Sequence, residues 1–202
     1  MNNIGRMAFI ILFAVSVLVA CAAKPVLTIQ YNVPDSTTTL KGINAGMVFI
    51  DQRSDTNVLD EAAGEQLKDF TGNFALLTEP DSKTEKDNVR SVSALFQKAV
   101  AKRLEVMGVM VSRGKDKADV TLSLILKTFK LEFVDGSWKA TINYEAQLLS
   151  GDEVRAREEI EGSAERVKII GTDDADKVMG KLFSDTINKL NLEHMFKKAG
   201  MG

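Results

Sequence analysis

One cysteine in 202 residues sits where one kind of covalent chemistry would use it. Cys21 follows Leu18-Val19-Ala20, and the stretch from Met7 to Ala20 is apolar except for Ser16, behind a lone positive charge at Arg6. Such a run is short for a membrane span, which needs about 20 apolar residues, and has the length of a secretory h-region. Leu-Val-Ala-Cys fits the bacterial lipobox. Small and aliphatic residues let a peptidase hold an extended segment, and the thiol takes a diacylglycerol. Cleavage between Ala20 and Cys21 then leaves a lipidated, N-acylated cysteine as the first mature residue. An ordinary signal peptide or an uncleaved anchor helix would instead leave one odd free thiol on an exported protein. The expected organisation is a signal peptide over 1–20, a lipidated tether over 21–25, and one periplasmic domain over 26–202. Three acyl chains exceed the two signals that stable anchoring takes. Ala22 follows the lipidated position, where Asp would signal inner-membrane retention in enterobacteria-like sorting. The periplasmic face of the outer membrane is therefore favoured over the inner membrane.

The next residues able to do chemistry are Asp51 and Arg53, within Asp51-Gln52-Arg53-Ser54-Asp55. A carboxylate and a guanidinium at i and i+2 share one strand face, so they can pair with each other or bind a ligand. His194 stands alone, with no cysteine nucleophile for it to activate. No Gly-x-Ser-x-Gly elbow, P-loop or dinucleotide fingerprint occurs. Gly114-Lys115-Asp116-Lys117 reads as a turn, and Asp173-Asp174-Ala175-Asp176 as the acidic start of a helix, without an EF-hand loop around it. One Cys and one His exclude the usual structural zinc sets. The expectation is a protein that is not an enzyme, with no metal and no cofactor.

Composition narrows the partners. The chain is 45% hydrophobic and 27% charged, with a net charge of −2. That argues against disorder and against a general basic field for nucleic acid.

Periodicity then supplies the elements that must carry these residues. Leu27, Ile29, Tyr31 and Val33 alternate with polar residues and predict a strand ending at Pro34. Gly46–Asp51 is a short apolar run, as in a buried strand. The acidic, mixed stretch 54–88 reads as a long loop, with only Asn73–Leu77 strand-like. Val92, Leu95, Phe96, Ala99, Val100, Leu104 and Met107 predict a helix. Asp87 or Asn88 would cap it, Lys98, Lys102 and Arg103 would lie outside, and Gly108 would end it. Together with Val109–Val111 this makes a β-α-β crossover. Alternation over 118–134, 138–148 and 154–164 predicts a three-stranded antiparallel meander, with a bulge near Lys127 and Thr128 and a hairpin at Asp135-Gly136. The last helix starts near Thr172, with Met179, Leu182, Phe183, Thr186 and Leu190 inside and Lys197 and Lys198 at its end. The fold class is α+β: a mixed sheet containing the meander, with two helices packed on one face.

Four of these features together resemble the YajG-like bacterial lipoproteins. They are the lipobox Leu18–Cys21, the strand exit Phe49–Asp55, the helix end Leu104–Val111, and the strand start Lys117–Leu122. More distantly, the order of elements is similar to the α/β module of the TolB amino-terminal domain. The resemblance implies a binding or assembly role rather than catalysis. The expected protein is an outer-membrane lipoprotein whose domain binds another envelope component. The alternative is an accessory of an ABC-type or lipopolysaccharide transport system that binds lipid or a small apolar ligand. The exposed meander face (Lys139, Thr141, Asn143, Glu145) and the 54–88 stretch are the expected contact surfaces.

Overall fold

The computed structural model describes residues 26–78, 87–112, 118–169 and 173–201. The signal segment, the Ala20–Cys21 junction, the 21–25 tether and the Gly114–Lys117 turn lie outside them. The elements run β1 (Leu27–Gln30), β2 (Asn44–Asp51), α1 (Glu61–Gln66), β3 (Phe74–Leu77), β4 (Asp87–Val89), α2 (Val92–Val106) and β5 (Met110–Ser112). They continue with β6 (Val120–Val134), β7 (Ser137–Ser150), β8 (Glu153–Val167), α3 (Asp173–Lys189) and α4 (Leu192–Lys198).

The α+β class and the mixed sheet hold. Five strands lie in the order β5-β2-β6-β7-β8, with β2 parallel to both neighbours and β6, β7 and β8 antiparallel. Period-2 burial drives the meander. Val120, Leu122, Leu124 and Leu126 face inward on β6, the register shifts between Leu126 and Thr128, and Phe129 and Leu131 resume the inward face. The hairpin turns through Asp135 (φ 51°) and Gly136 (φ 76°), two successive left-handed residues that match the twist of the flanking strands.

The 54–88 stretch departs from its reading as a loop. It holds α1, capped by the Asp60 carboxylate accepting from Ala63 N at 2.8 Å, then β3 and the start of β4. β3 pairs parallel with β1 and antiparallel with β4, forming a second, three-stranded sheet. Strands this short are specified by partners distant in sequence, which local periodicity does not register. Residues 58–60 also line the edge of β6 beyond its bulge, through Leu131 N to Val58 O at 2.7 Å and Asp60 N to Leu131 O at 3.2 Å.

Two helix ends differ as well. Asp87 and Asn88 belong to β4, and the cap of α2 is Ser91, whose Oγ accepts from Ala94 N at 3.1 Å. Gly108 closes α2 at φ 88°, as expected. The last helix breaks at Leu190-Asn191. Asn191 caps α4 by accepting from His194 N at 3.0 Å, so Lys197 and Lys198 end α4 rather than α3.

The buried side chains of both sheets and the helices form one continuous cluster. Phe96 on α2 is at its centre. Its ring lies 5.7 Å from Phe49 on β2, 5.9 Å from Phe129 on β6, 5.4 Å from Tyr144 on β7 and 5.1 Å from Phe183 on α3. α3 also closes the edge of β1 with a stripe repeating every four residues. Asp176 accepts from Thr28 N at 3.1 Å, Ser184 from Asn32 N at 3.0 Å, and Asn188 donates to Asn32 O at 2.8 Å. Gly180 completes the stripe, because a Cβ there would lie 2.9 Å from Gln30 N. Edge donors that would otherwise template aggregation are thereby satisfied.

Candidate functional site

Asp51 and Arg53 meet where β2 leaves the sheet. Arg53 Nε donates to Asp51 Oδ1 at 2.9 Å, and Nη2 to Oδ2 at 2.8 Å, a bidentate pair. Arg53 N also donates to Asp51 Oδ1 at 3.2 Å, and Nη1 reaches Thr56 O at 3.1 Å. The Arg53 side chain is only 6% exposed, against 37% for Asp51. Asp55 continues the clamp, accepting from Asn57 N at 2.9 Å and from Lys130 Nζ at 2.5 Å. The bonds of the guanidinium are thus spent inside the loop, and Lys130 fastens Asp55 of that loop to β6.

These bonds favour the charged carboxylates. Arg53 beside Asp51 holds its carboxyl below the usual range, and Lys130 does the same for Asp55. A depressed folded-state pKa adds stability that is present above the unfolded value, about 4, and lost as pH falls through the folded one. The wild-type protein should therefore lose stability below about pH 4. Asp51→Asn should cost about 1–2 kcal/mol near neutral pH, discounted for the solvent that screens Asp51, and should flatten the acid limb. Urea unfolding across pH measures both. An unchanged acid limb would refute the role of the clamp.

The acidic start of α3 is likewise engaged. Asp174 accepts from Arg166 Nε at 2.7 Å and Ile169 N at 3.0 Å, and Asp176 holds Thr28 N. Among the described residues no group of His, Cys, Asp and Glu is arranged to hold a metal. His194 is exposed on α4.

Arg103 corrects the outward placement read from periodicity. It is half-buried and donates to Ile187 O near the end of α3. Tyr144 Oη donates to Thr186 O at 2.9 Å and Tyr31 Oη to Asn188 Oδ1 at 3.1 Å. The last carbonyls of a helix lack intrahelical partners, which is why donors from α2 and β7 are drawn there. Burial pushes Tyr31 up to about 12 and raises Tyr144 further, so both stay neutral donors.

The larger assembly of polar groups is the outer face of the meander, where no other described element packs. Glu145 in the middle of β7 accepts from Gln147 Nε2 at 2.5 Å and from Arg157 Nε on β8 at 2.9 Å, with Lys127 Nζ on β6 at 3.5 Å. Lys127 also pairs with Glu159 at 2.6 Å, and Asn143 Nδ2 donates to Glu161 at 2.9 Å. Gln147, then Arg157 and Lys127, hold Glu145 below its usual range, while Glu159 raises Lys127. Beside this ladder lies a shallow hollow of about 470 Å³ lined by Thr128, Thr141, Asn143, Glu161 and Ser163. Asn143 Oδ1 is buried there without a hydrogen-bond partner. A second groove, about 370 Å³, crosses the far end over Val48, Ile50, Ser123 and Leu149.

Lys139, Thr141, Asn143 and Glu145 thus share one face, as their alternation implies. Lys127, Arg157, Glu159 and Glu161 join them from the neighbouring strands and were missed. The signals that could have found them are the Asp135-Gly136 turn, which sets β6 and Lys127 against β7, and the Gly151-Asp152 turn, which sets β8 and its charges against β7.

The chain matches no protein-family model and no curated protein. Its fold is shared with a crystal structure of XCC0632 from Xanthomonas campestris, of the DUF330 family, at TM-score 0.56 and 12% identity over 87% of this chain and 99% of that one. Looser similarity extends to hypothetical protein CT253 from Chlamydia trachomatis (TM-score 0.45, 11% identity, 79% and 99% covered). It extends also to lipoprotein GNA1162 from Neisseria meningitidis (TM-score 0.31, 12% identity, 73% and 97% covered). At 12% identity the likeness to XCC0632 is one of fold alone.

Proposed function

We propose that the protein is a YajG-like lipoprotein, cleaved between Ala20 and Cys21 and anchored through Cys21 at the periplasmic face of the outer membrane. Its domain, residues 26–202, binds another envelope component in a structural or assembly role and performs no catalysis. The mechanism is positional, since a lipid anchor confines the domain and raises its effective concentration for a partner near the leaflet. The observation that carries this reading is the uncovered outer face of β6, β7 and β8. Its charges are cross-bridged into a fixed pattern, while the opposite face is sealed under α2 and α3. Ordered polar groups around a buried, unpaired amide oxygen suit recognition by a polar protein surface. No helix among the described residues is long and apolar enough to cross a membrane.

The transport-accessory reading needs an apolar cavity between helices and sheet. The rings around Phe96 fill the middle of that space, and the hollows found among the described residues are open and shallow.

A photoreactive residue at position 141 or 143 should crosslink one defined envelope protein in intact cells, whereas one at exposed Lys102 on α2 should not. Equal, diffuse crosslinking from both faces would sink the assignment of this surface.

A further inference from the structure

Three exposed large hydrophobic side chains gather at one end of the five-stranded sheet. Val134 ends β6 and Val167 ends β8, and both lie opposite Ser137 at the start of β7, so they occupy one row of the outer face. Val167 is 66% exposed, and Ile169 just beyond it is 74% exposed. Lys168 N donates to Gly136 O at 3.0 Å, tying this strand end to the hairpin tip. The cations beside the rim are engaged elsewhere. Lys168 Nζ bonds Gln66 Oε1 at 2.5 Å over the Phe133 ring, and Arg166 holds Asp174.

The described chain begins near this same end. Asp174 accepts from Ile169 N at 3.0 Å, and Asp176, two residues further along α3, accepts from Thr28 N at 3.1 Å. Ile169 and Thr28 therefore flank one helical turn, on the order of 10–15 Å apart for a helix about 10–12 Å across. Six residues along the chain separate Cys21 from Leu27. Fully extended, they reach about 20 Å. A bilayer bound at Cys21 therefore lies within about 35 Å of the rim.

We infer that Val134, Val167 and Ile169 rest on the headgroup–acyl boundary of the bilayer that carries the Cys21 lipid. This rests on the lipoprotein reading above. The occupant is a lipid surface because the rim is apolar and lies within reach of the tether, and with Lys168 and Arg166 bonded elsewhere the contact is apolar rather than electrostatic. Exposed Asp135 at the hairpin tip and Glu165 beside the rim keep the contact at headgroup depth. The strands then stand up from the leaflet. Glu145 lies roughly 25 Å along β7 from the rim, and Val154, opposite Leu149, roughly 40 Å.

The test uses the full chain, processed in a bacterial envelope and reconstituted into phosphatidylcholine–phosphatidylethanolamine vesicles. Ile169→Cys and, separately, Val154→Cys carry an environment-sensitive fluorophore, with the lipid blocking the native thiol. The label at position 169 should shift to the blue and lose most of its emission to brominated lipid, at low and high salt alike. The label at 154 should keep its water-like emission. Water-like emission at 169 in protein whose intact mass includes the lipid would overturn the rim and leave the anchor standing, as would quenching at 154 instead. A mass without the lipid would overturn both.

Discussion

Phe96→Ala should lower the unfolding free energy by about 3–5 kcal/mol, as expected for a fully buried aromatic side chain whose site cannot collapse. Phe96 is 0% exposed, and its four ring partners come from β2, β6, β7 and α3. No one element can move in to fill the void without leaving another. Edge-to-face contacts add about 0.5–1.5 kcal/mol each in favourable pairs, which places the cost towards the upper end of the range. Phe70, half-buried against Phe74 at 5.7 Å, has solvent on one side and should cost clearly less on the same substitution. Urea unfolding of both variants measures the difference. Equal losses would mean that Phe96 does not join the helices to the sheet.

Gly180→Val should cost about 2–3 kcal/mol, although valine is the better helix former. The reason is local. A Cβ at this position would lie 2.9 Å from Gln30 N, so α3 would have to lift off β1. That movement would stretch the bonds from Asp176, Ser184 and Asn188 and expose the β1 edge. Gly64 on α1 has nothing within 4 Å of such a Cβ, so Gly64→Ala should be neutral or stabilising by up to about 1 kcal/mol. Opposite signs at the two positions separate close packing from helix propensity. A stabilising Gly180→Val would refute the role given to the stripe.

What was legible in the sequence follows from range. Alternation over β6, β7 and β8 needs no knowledge of the rest of the chain, and the turns at Asp135-Gly136 and Gly151-Asp152 supply the two registers. The inward faces of α2 and α3 repeat at helical spacing for the same reason. β3 was legible as the strand-like Asn73–Leu77, but its parallel partner lies more than forty residues back at β1 and β4 is only three residues long, so the second sheet that joins them stayed hidden. Asp176, Gly180, Ser184 and Asn188 are ordinary helix-surface residues until a strand edge is known to lie beneath them. Arg103 is similar. Its long side chain leaves the polar face of α2 to reach carbonyls that only the packed α3 provides. At the site, Asp51 and Arg53 were visible as a pair because they are two residues apart. Lys127, Arg157 and Glu159 are joined to Glu145 only through strand pairing.

In the proposed function attachment and recognition are linked through Cys21, because the lipid would hold the outer face where its partner lies. The most direct test is the intact mass of the mature protein purified from envelopes. A chain beginning at Cys21 and heavier by a diacylglyceryl and an acyl group is the predicted result. A free Cys21 thiol, or a chain that still carries Met1 to Ala20, would contradict it.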